Sequence, residues 1–206
     1  MDYKNMLTIP NILTLARLIG SPVVLPLLLV LFLPFNIPWI NYLLGIIFLC
    51  FGLTDFFDGY FARRFDQVSV LGAMLDPIAD KFLFYSSLIG LLAAQKIFFY
   101  WVILLIGREF FVMGLRMVAL EKGLVIPVSV AAKIKTVLEM IYITVVISNP
   151  HHNLGLYNNI YGWNGLELLL LLITVGMSVT TAYWYYQEFI FELKKRRLTE
   201  DIHASS

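Results

Sequence analysis

The stretch "GLTDFFDGYFARRFDQVSVLGAMLDPIADKF", residues 52–82, follows a long apolar run and holds Asp55, Asp58, Asp76 and Asp80. A carboxylate exposed to hydrocarbon costs several kcal/mol, roughly 2.5–3.5 on insertion scales, so intramembrane aspartates call for a function. Asp55 and Asp58 are three residues apart and share one helix face; Asp76 and Asp80 are four apart and share a face of the next helix. A turn of about ten residues, 63–72, joins the two helices, so both pairs sit near one membrane surface. Side-by-side packing of the helices then brings four carboxylates into one small volume.

Four converging carboxylates do not all stay ionised without compensation. Protonation, basic partners or divalent metal are the available remedies. Hard oxygen donors suit Mg²⁺ or Mn²⁺ rather than zinc, and four carboxylates suffice for two ions, the arrangement that clamps the entering and leaving oxygens in phosphoryl transfer. Gly59 and Ala62 lie one and four residues after Asp58, which fits either a bulky ligand against the helix or close helix packing. Gly72 begins or ends a helix, and Pro77 sits in a first turn or marks a kink. The competing reading of the acids is a structural ion network or a proton path.

Composition sets the solvent. The chain has 206 residues, 60% of them apolar, a net charge of +1 and a mean hydropathy of +0.81. Such a sequence reads as an all-α polytopic membrane protein, one domain over 1–206, with no global charge that argues for nucleic acid. A hydrocarbon core of about 30 Å needs about 20 helical residues. Six windows meet that length, roughly 12–33, 39–63, 73–95, 98–120, 128–149 and 164–191. The period-2 alternation of a membrane barrel is absent. Arg63 and Arg64, Lys122 and the run Lys194–Arg197 fall on one side of this topology, which places both termini in the cytoplasm. "LPFNIP" (33–38) and "EKGLVIP" (121–127) break the chain between spans through Pro34, Pro38, Gly123 and Pro127. His151 and His152 read as solvated loop residues, and Cys50 as a small buried apolar residue.

Arg108, Arg116, Lys133 and Lys135 fall on otherwise apolar helices. Lys133, Lys135 and Arg116 lie near helix ends, where snorkelling to the interface is one account. Arg108 is mid-span beside Glu109. Guanidinium and ammonium groups of this kind suit an anionic, phosphate-bearing substrate. Asn11, Thr14 and Arg17, about a turn apart, fit helix entry by capping and snorkelling.

The acid-rich stretch resembles the CDP-alcohol phosphatidyltransferase family, whose signature D-x2-D-G-x2-A-R-x8-G-x3-D-x3-D is met at Asp55, Asp58, Gly59, Ala62, Arg63, Gly72, Asp76 and Asp80. The resemblance implies six transmembrane helices, a homodimer, a two-ion Mg²⁺ or Mn²⁺ site at the cytoplasmic face, and cleavage of a CDP-linked lipid with release of CMP. It extends along most of the chain. "IPNILTLARL" (9–18), "GREFFVMGLRMVA" (107–119) and "AAKIKTVLEM" (131–140) are similar to segments of the bacterial branch that uses sn-glycerol 3-phosphate as acceptor, with departures at Ala132 and Val137. That branch acts in the bacterial inner membrane. The resemblance gives Asp55, Asp58 and Asp76 as metal ligands, with Asp80 shared between ligation and general-base catalysis. It places Asn11, Thr14, Asp58, Gly59, Ala62, Arg63 and Gly72 against CDP-diacylglycerol, and Arg108, Arg116, Lys133 and Lys135 against the acceptor phosphate. The alternatives are a family member with inositol phosphate, serine or phosphatidylglycerol as acceptor, and an ion-coupled transporter.

Overall fold

A computed structural model describes residues 23–64, 70–124, 126–127, 129–150 and 163–205, with backbone alone for 54–64, 70–80, 163 and 197–205. The described residues are helical, without a strand. The helices are α1 (23–32), α2 (Pro38–Arg64), α3 (Val70–Ala93), α4 (Phe99–Glu121), α5 (Val130–Ser148) and α6 (Trp163–Ser205). α2 to α5 fall within three residues of the apolar windows; α6 runs on past its window to Ser205, and the first part of the window 12–33 lies outside the described residues. Cys50 departs from expectation: it is exposed on α2, in a chain whose outward faces are themselves apolar.

Local chemistry sets the helix ends. After α1 a 3-10 turn, Leu33–Phe35, closes on Asn36, whose backbone is left-handed at φ 51° and whose N–H donates to the Leu33 carbonyl at 3.1 Å. Pro38 then opens α2 at a first-turn position, where its missing N–H costs no helical bond. α3 ends on Gln95, left-handed at φ 57°. The Lys96 N–H reaches back to the Leu91 carbonyl (2.8 Å) and the Gln95 N–H to that of Leu92 (3.0 Å). These two bonds are the Schellman pattern. α4 ends the same way on Gly123 (φ 67°), with Leu124 N–H on the Ala119 carbonyl at 2.8 Å and both side chains buried in one cluster. At the start of α5, Ser129 Oγ accepts from the Ala132 N–H at 3.2 Å, an N-cap.

The surface is apolar and several polar groups are inside. Trp39, Tyr100, Ile103 and Leu120 are 63–69% exposed, whereas Asn41, Ser87, Asn149, Thr174 and Ser178 are fully buried. One stretch among the described residues, Asn164–Arg196 in α6, is long and apolar enough to cross a membrane. Val23–Phe35, Pro38–Leu53 and Lys81–Ala93 are shorter apolar helices. α4 and α5 are interrupted by Arg108, Glu109 and Arg116, and by Lys133, Lys135 and Glu139.

Contacts gather into two compact units. The first takes the residues up to Val102 together with Met140–Leu168. Its core includes Leu25, Leu29 and Leu33 of α1 and its following turn, Leu44 and Phe48 of α2, Leu88 and Leu91 of α3, and Ile143 and Ile147 of α5. Glycine lets helices approach closely here. A Cβ on Gly90 would lie 3.1 Å from the Pro26 Cα of α1, and one on Gly52 would lie 2.8 Å from Met140 Sδ of α5. A Cβ on Gly45 would overlap the Ser148 hydroxyl. α2, which carries the first two aspartates, is thus held along α5 by two bare positions seven residues apart.

This unit also buries a cation. Lys96, 4% exposed, donates from Nζ to Asn36 Oδ1 (2.7 Å) and to the Asn149 carbonyl (3.3 Å). Asn149 Nδ2 donates to Asn164 Oδ1 and Glu167 Oε1, each at 2.9 Å. Burial pushes the Lys96 ammonium below its ordinary value, partly opposed by the nearby Glu167 carboxylate.

The second unit takes Ile103–Glu139 and the residues from Leu169 on. Val112 and Ala119 of α4, Leu124 and Ile126 beyond it, and Ala182, Tyr185 and Phe189 of α6 form its apolar cluster. The Tyr185 hydroxyl accepts from the Ser129 N–H at 3.4 Å, tying α6 to the start of α5.

Candidate active site

The eight signature positions lie on two helices that pack against each other. Asp55, Asp58, Gly59, Ala62 and Arg63 occupy the last turns of α2; Gly72, Asp76 and Asp80 occupy the first turns of α3. Helical backbone at both pairs supports the shared-face reading of each. The helices run closer to each other in sequence than expected: the interval is residues 65–69, and Gly72 is already inside α3. Pro77 is the eighth residue of α3, so the first-turn account of it does not hold. The aspartate side chains, and Asn11, Thr14 and Arg17, lie outside the described residues, as do His151 and His152.

The basic residues of α4 and α5 separate into two kinds. Arg116 and Lys133 are exposed, in keeping with the snorkelling account. Arg108 and Lys135 are buried, with side chains 8% and 2% exposed. Glu109 Oε1 bridges them, accepting from Arg108 Nη1 and from Lys135 Nζ. Lys135 Nζ also pairs with Glu139 Oε2 at 2.8 Å, one turn along α5. Arg108 is fixed further by α6: Nε donates to the Ser178 carbonyl at 3.0 Å, and Nη2 donates to Thr181 Oγ1. Thr181 and Ser178 are themselves buried. Among the described residues the result is a dehydrated set of two cations and two carboxylates. Each charge is offset by an opposite one, the condition under which ionised groups persist away from water.

A CDP-alcohol phosphatidyltransferase family model matches residues 7–181. The chain belongs to that family. The matched span holds the acid motif, the buried charge set and the α6 residues that fix Arg108. Among the relatives, a protein of Rickettsia bellii (strain RML369-C) named CDP-diacylglycerol–glycerol-3-phosphate 3-phosphatidyltransferase is 35% identical over 179 residues, 87% of this chain and 93% of its own. Proteins of the same name from Bacillus subtilis (strain 168) and Yersinia enterocolitica are 34% and 35% identical, over 72% and 73% of this chain and 79% and 82% of theirs. The family generally depends on divalent metal.

The α6 contribution was not visible from spacing rules applied to α4 and α5 alone. A signal for it exists: Thr174, Ser178, Thr181 and Tyr185 recur at helical spacing and are all buried, a polar stripe along an otherwise apolar helix. That Glu109 and Glu139 pair with the bases of α4 and α5 was open to the sequence; which bases Glu109 bridges was not, because its second partner is on another helix.

Proposed function

We propose that the chain transfers the phosphatidyl group of CDP-diacylglycerol to sn-glycerol 3-phosphate, giving phosphatidylglycerophosphate and CMP. The observation that carries this is the set of relatives named for that reaction, matched over 79–93% of the length of the three described above, by a chain that keeps all eight signature positions on two packed helices. The apolar exterior supports work within a bilayer. In this reading the chain is a single catalytic domain over 1–206, a homodimer with six spans in the bacterial inner membrane, its acid motif and both termini cytoplasmic.

The donor set of the motif is four carboxylates with no thiol or imidazole, which fits a hard divalent cation. Bound by Asp55, Asp58, Asp76 and Asp80, two Mg²⁺ or Mn²⁺ ions would neutralise the diphosphate and the charge that develops on departing CMP. The rest is work for side chains and backbone. Asn11, Thr14, Asp58, Gly59, Ala62, Arg63 and Gly72 hold the cytidine diphosphate end of the donor while its acyl chains remain in lipid. Arg108 and Lys135 hold the acceptor's phosphate, with Arg116 and Lys133 nearer the solvent as further positive charge. Asp80 takes the proton of the acceptor 1-hydroxyl as that oxygen bonds to the β-phosphorus. The bond from the β-phosphorus to the bridging oxygen breaks, and CMP leaves with that oxygen. Positioning and charge stabilisation supply most of the rate.

The test is CMP release by the purified chain with CDP-diacylglycerol, Mg²⁺ and a panel of acceptors. Release is expected with sn-glycerol 3-phosphate, stopped by chelation and restored by Mg²⁺ or Mn²⁺. Release with inositol phosphate, serine or phosphatidylglycerol instead reassigns the acceptor. No release with any acceptor, together with cation-coupled flux across sealed vesicles, overturns the reading.

A further inference from the structure

The two cations that suit the acceptor phosphate are already engaged. Arg108 directs Nη1 to Glu109, Nη2 to Thr181 and Nε to the Ser178 carbonyl. Lys135 directs Nζ to Glu109 and to Glu139. The four charged side chains are 2–8% exposed and together carry no net charge. A phosphate dianion added to that set would meet two carboxylates in a volume poor in water, where like charges repel far more strongly than in solvent. Addition is therefore unfavourable, and exchange is the route left. Glu109 marks where exchange occurs, because one oxygen, Oε1, meets both the guanidinium and the ammonium. A phosphate oxygen bridging the same two donors would occupy that position.

We propose that Glu109 is a placeholder for the acceptor's phosphate. Its carboxylate keeps Arg108 and Lys135 together and charge-compensated while the acceptor is absent, and it yields at least one of those contacts when a phosphate monoester arrives. The proposal rests on the reading of Arg108 and Lys135 as acceptor-phosphate ligands. Lys135 keeps Glu139 beside it throughout, so the ammonium is never left without a counter-charge. The exchange also selects acceptors. A phosphate monoester offers two negative charges against the one of a carboxylate, whereas an uncharged polyol offers none and leaves the set closed. Glu109 is thus a positioning residue that sets specificity, acting through Arg108 and Lys135.

The test compares steady-state kinetics of the wild-type chain and Glu109→Gln in lipid nanodiscs, with inorganic phosphate as a competing probe. Loss of the competing charge is expected to lower the KM for sn-glycerol 3-phosphate at least threefold without raising kcat, and to tighten inhibition by inorganic phosphate. Glu139→Gln is expected to shift the KM less. A raised KM in a Glu109→Gln protein that still binds CDP-diacylglycerol and keeps its thermal midpoint overturns the proposal and makes Glu109 a scaffold. Arg108→Lys separates this outcome from failure of the underlying reading. If Arg108→Lys raises the acceptor KM while Glu109→Gln does not lower it, the exchange alone is wrong. If Arg108→Lys and Lys135→Gln both leave the acceptor KM unchanged, the phosphate pocket itself is wrong. Should the Gln variant fail to fold, the wild-type chain labelled with ¹³C-glutamate decides. Adding acceptor or inorganic phosphate is expected to shift a glutamate carboxylate band in the infrared difference spectrum, and an unmoved band overturns the placeholder role.

Discussion

Lys135 and Glu139, one turn apart on α5, form a 2.8 Å ion pair whose side chains are 2% and 4% exposed. A pair this dehydrated differs from a surface salt bridge, whose typical value is about 0–1 kcal/mol. Removing one partner takes away buried compensation from the other charge. Lys135→Met leaves Glu109 and Glu139 without their shared ammonium and is expected to cost about 3–5 kcal/mol. Thermal unfolding in detergent measures this; a loss below about 1 kcal/mol means the carboxylates find other compensation.

Asp80→Asn is expected to abolish CMP formation while largely sparing CDP-diacylglycerol binding, since the amide fills the same space but cannot take the hydroxyl proton. Equilibrium binding of the donor beside turnover separates the two effects. Donor binding lost in parallel with turnover removes the base role and leaves Asp80 a ligand.

Arg116 and Arg108 should behave differently although both are arginines of α4. Arg116 is exposed, so Arg116→Ala is expected to raise the KM for sn-glycerol 3-phosphate severalfold with little change in thermal midpoint. Arg108→Ala is expected to change both, because it strips partners from Glu109 and Thr181. An unchanged acceptor KM in Arg116→Ala places that residue outside the pocket.

The glycines give a graded series. Gly90→Ala drives a methyl toward the backbone of Pro26, which cannot rotate aside, and is expected to cost about 1–3 kcal/mol. Gly45→Ala is overcrowded only by the Ser148 hydroxyl, its other neighbours lying at an ordinary 3.6 Å, so it should be milder and be rescued by Ser148→Ala. Gly114→Ala meets nothing within 4 Å and should stabilise α4 by up to about 1 kcal/mol. Thermal midpoints of the four proteins test the order.

Lys96 makes stability depend on pH in a defined direction. Its folded-state value lies below 10.5, so between the two values the unfolded chain binds more protons and stability rises with pH. The neutral amine keeps two N–H groups for its two acceptors. The thermal midpoint of the wild-type chain is expected to gain on that of Lys96→Met as the pH climbs towards 10.5. A difference independent of pH over that range contradicts the shift.

What the sequence reveals follows from the range of each interaction. Helix positions were legible because apolar windows and Pro34, Pro38, Gly123 and Pro127 act locally. The left-handed end of α3 was not, since Gln95 is a residue that seldom takes positive φ and carries no glycine signal. The motif on α2 and α3 could be read because its spacing is short and fixed. The choice between snorkelling and burial at Lys133 and Lys135 could not. Two residues apart on one helix, they face opposite environments, and only packing decides which is dehydrated. Cys50 was misread for a related reason: apolar character means burial against protein in water, but exposure to lipid serves equally well in a bilayer.

The length of α6 has a mechanical corollary. Forty-three residues of helix extend about 64 Å, twice what a 30 Å layer consumes. Counted from Asn164, the first 20 residues end at Tyr183, where Tyr183 and Trp184 are both 59% exposed, the aromatic pairing typical of a lipid–water boundary. Beyond that point Tyr185, Phe189 and Leu193 still pack in the second unit's apolar cluster, and from Leu193 the helix runs about 18 Å further to Ser205. A change in the tilt of the packed segment is carried along this last stretch into a larger displacement at Ser205, so a probe fixed there would register small reorientations of α6.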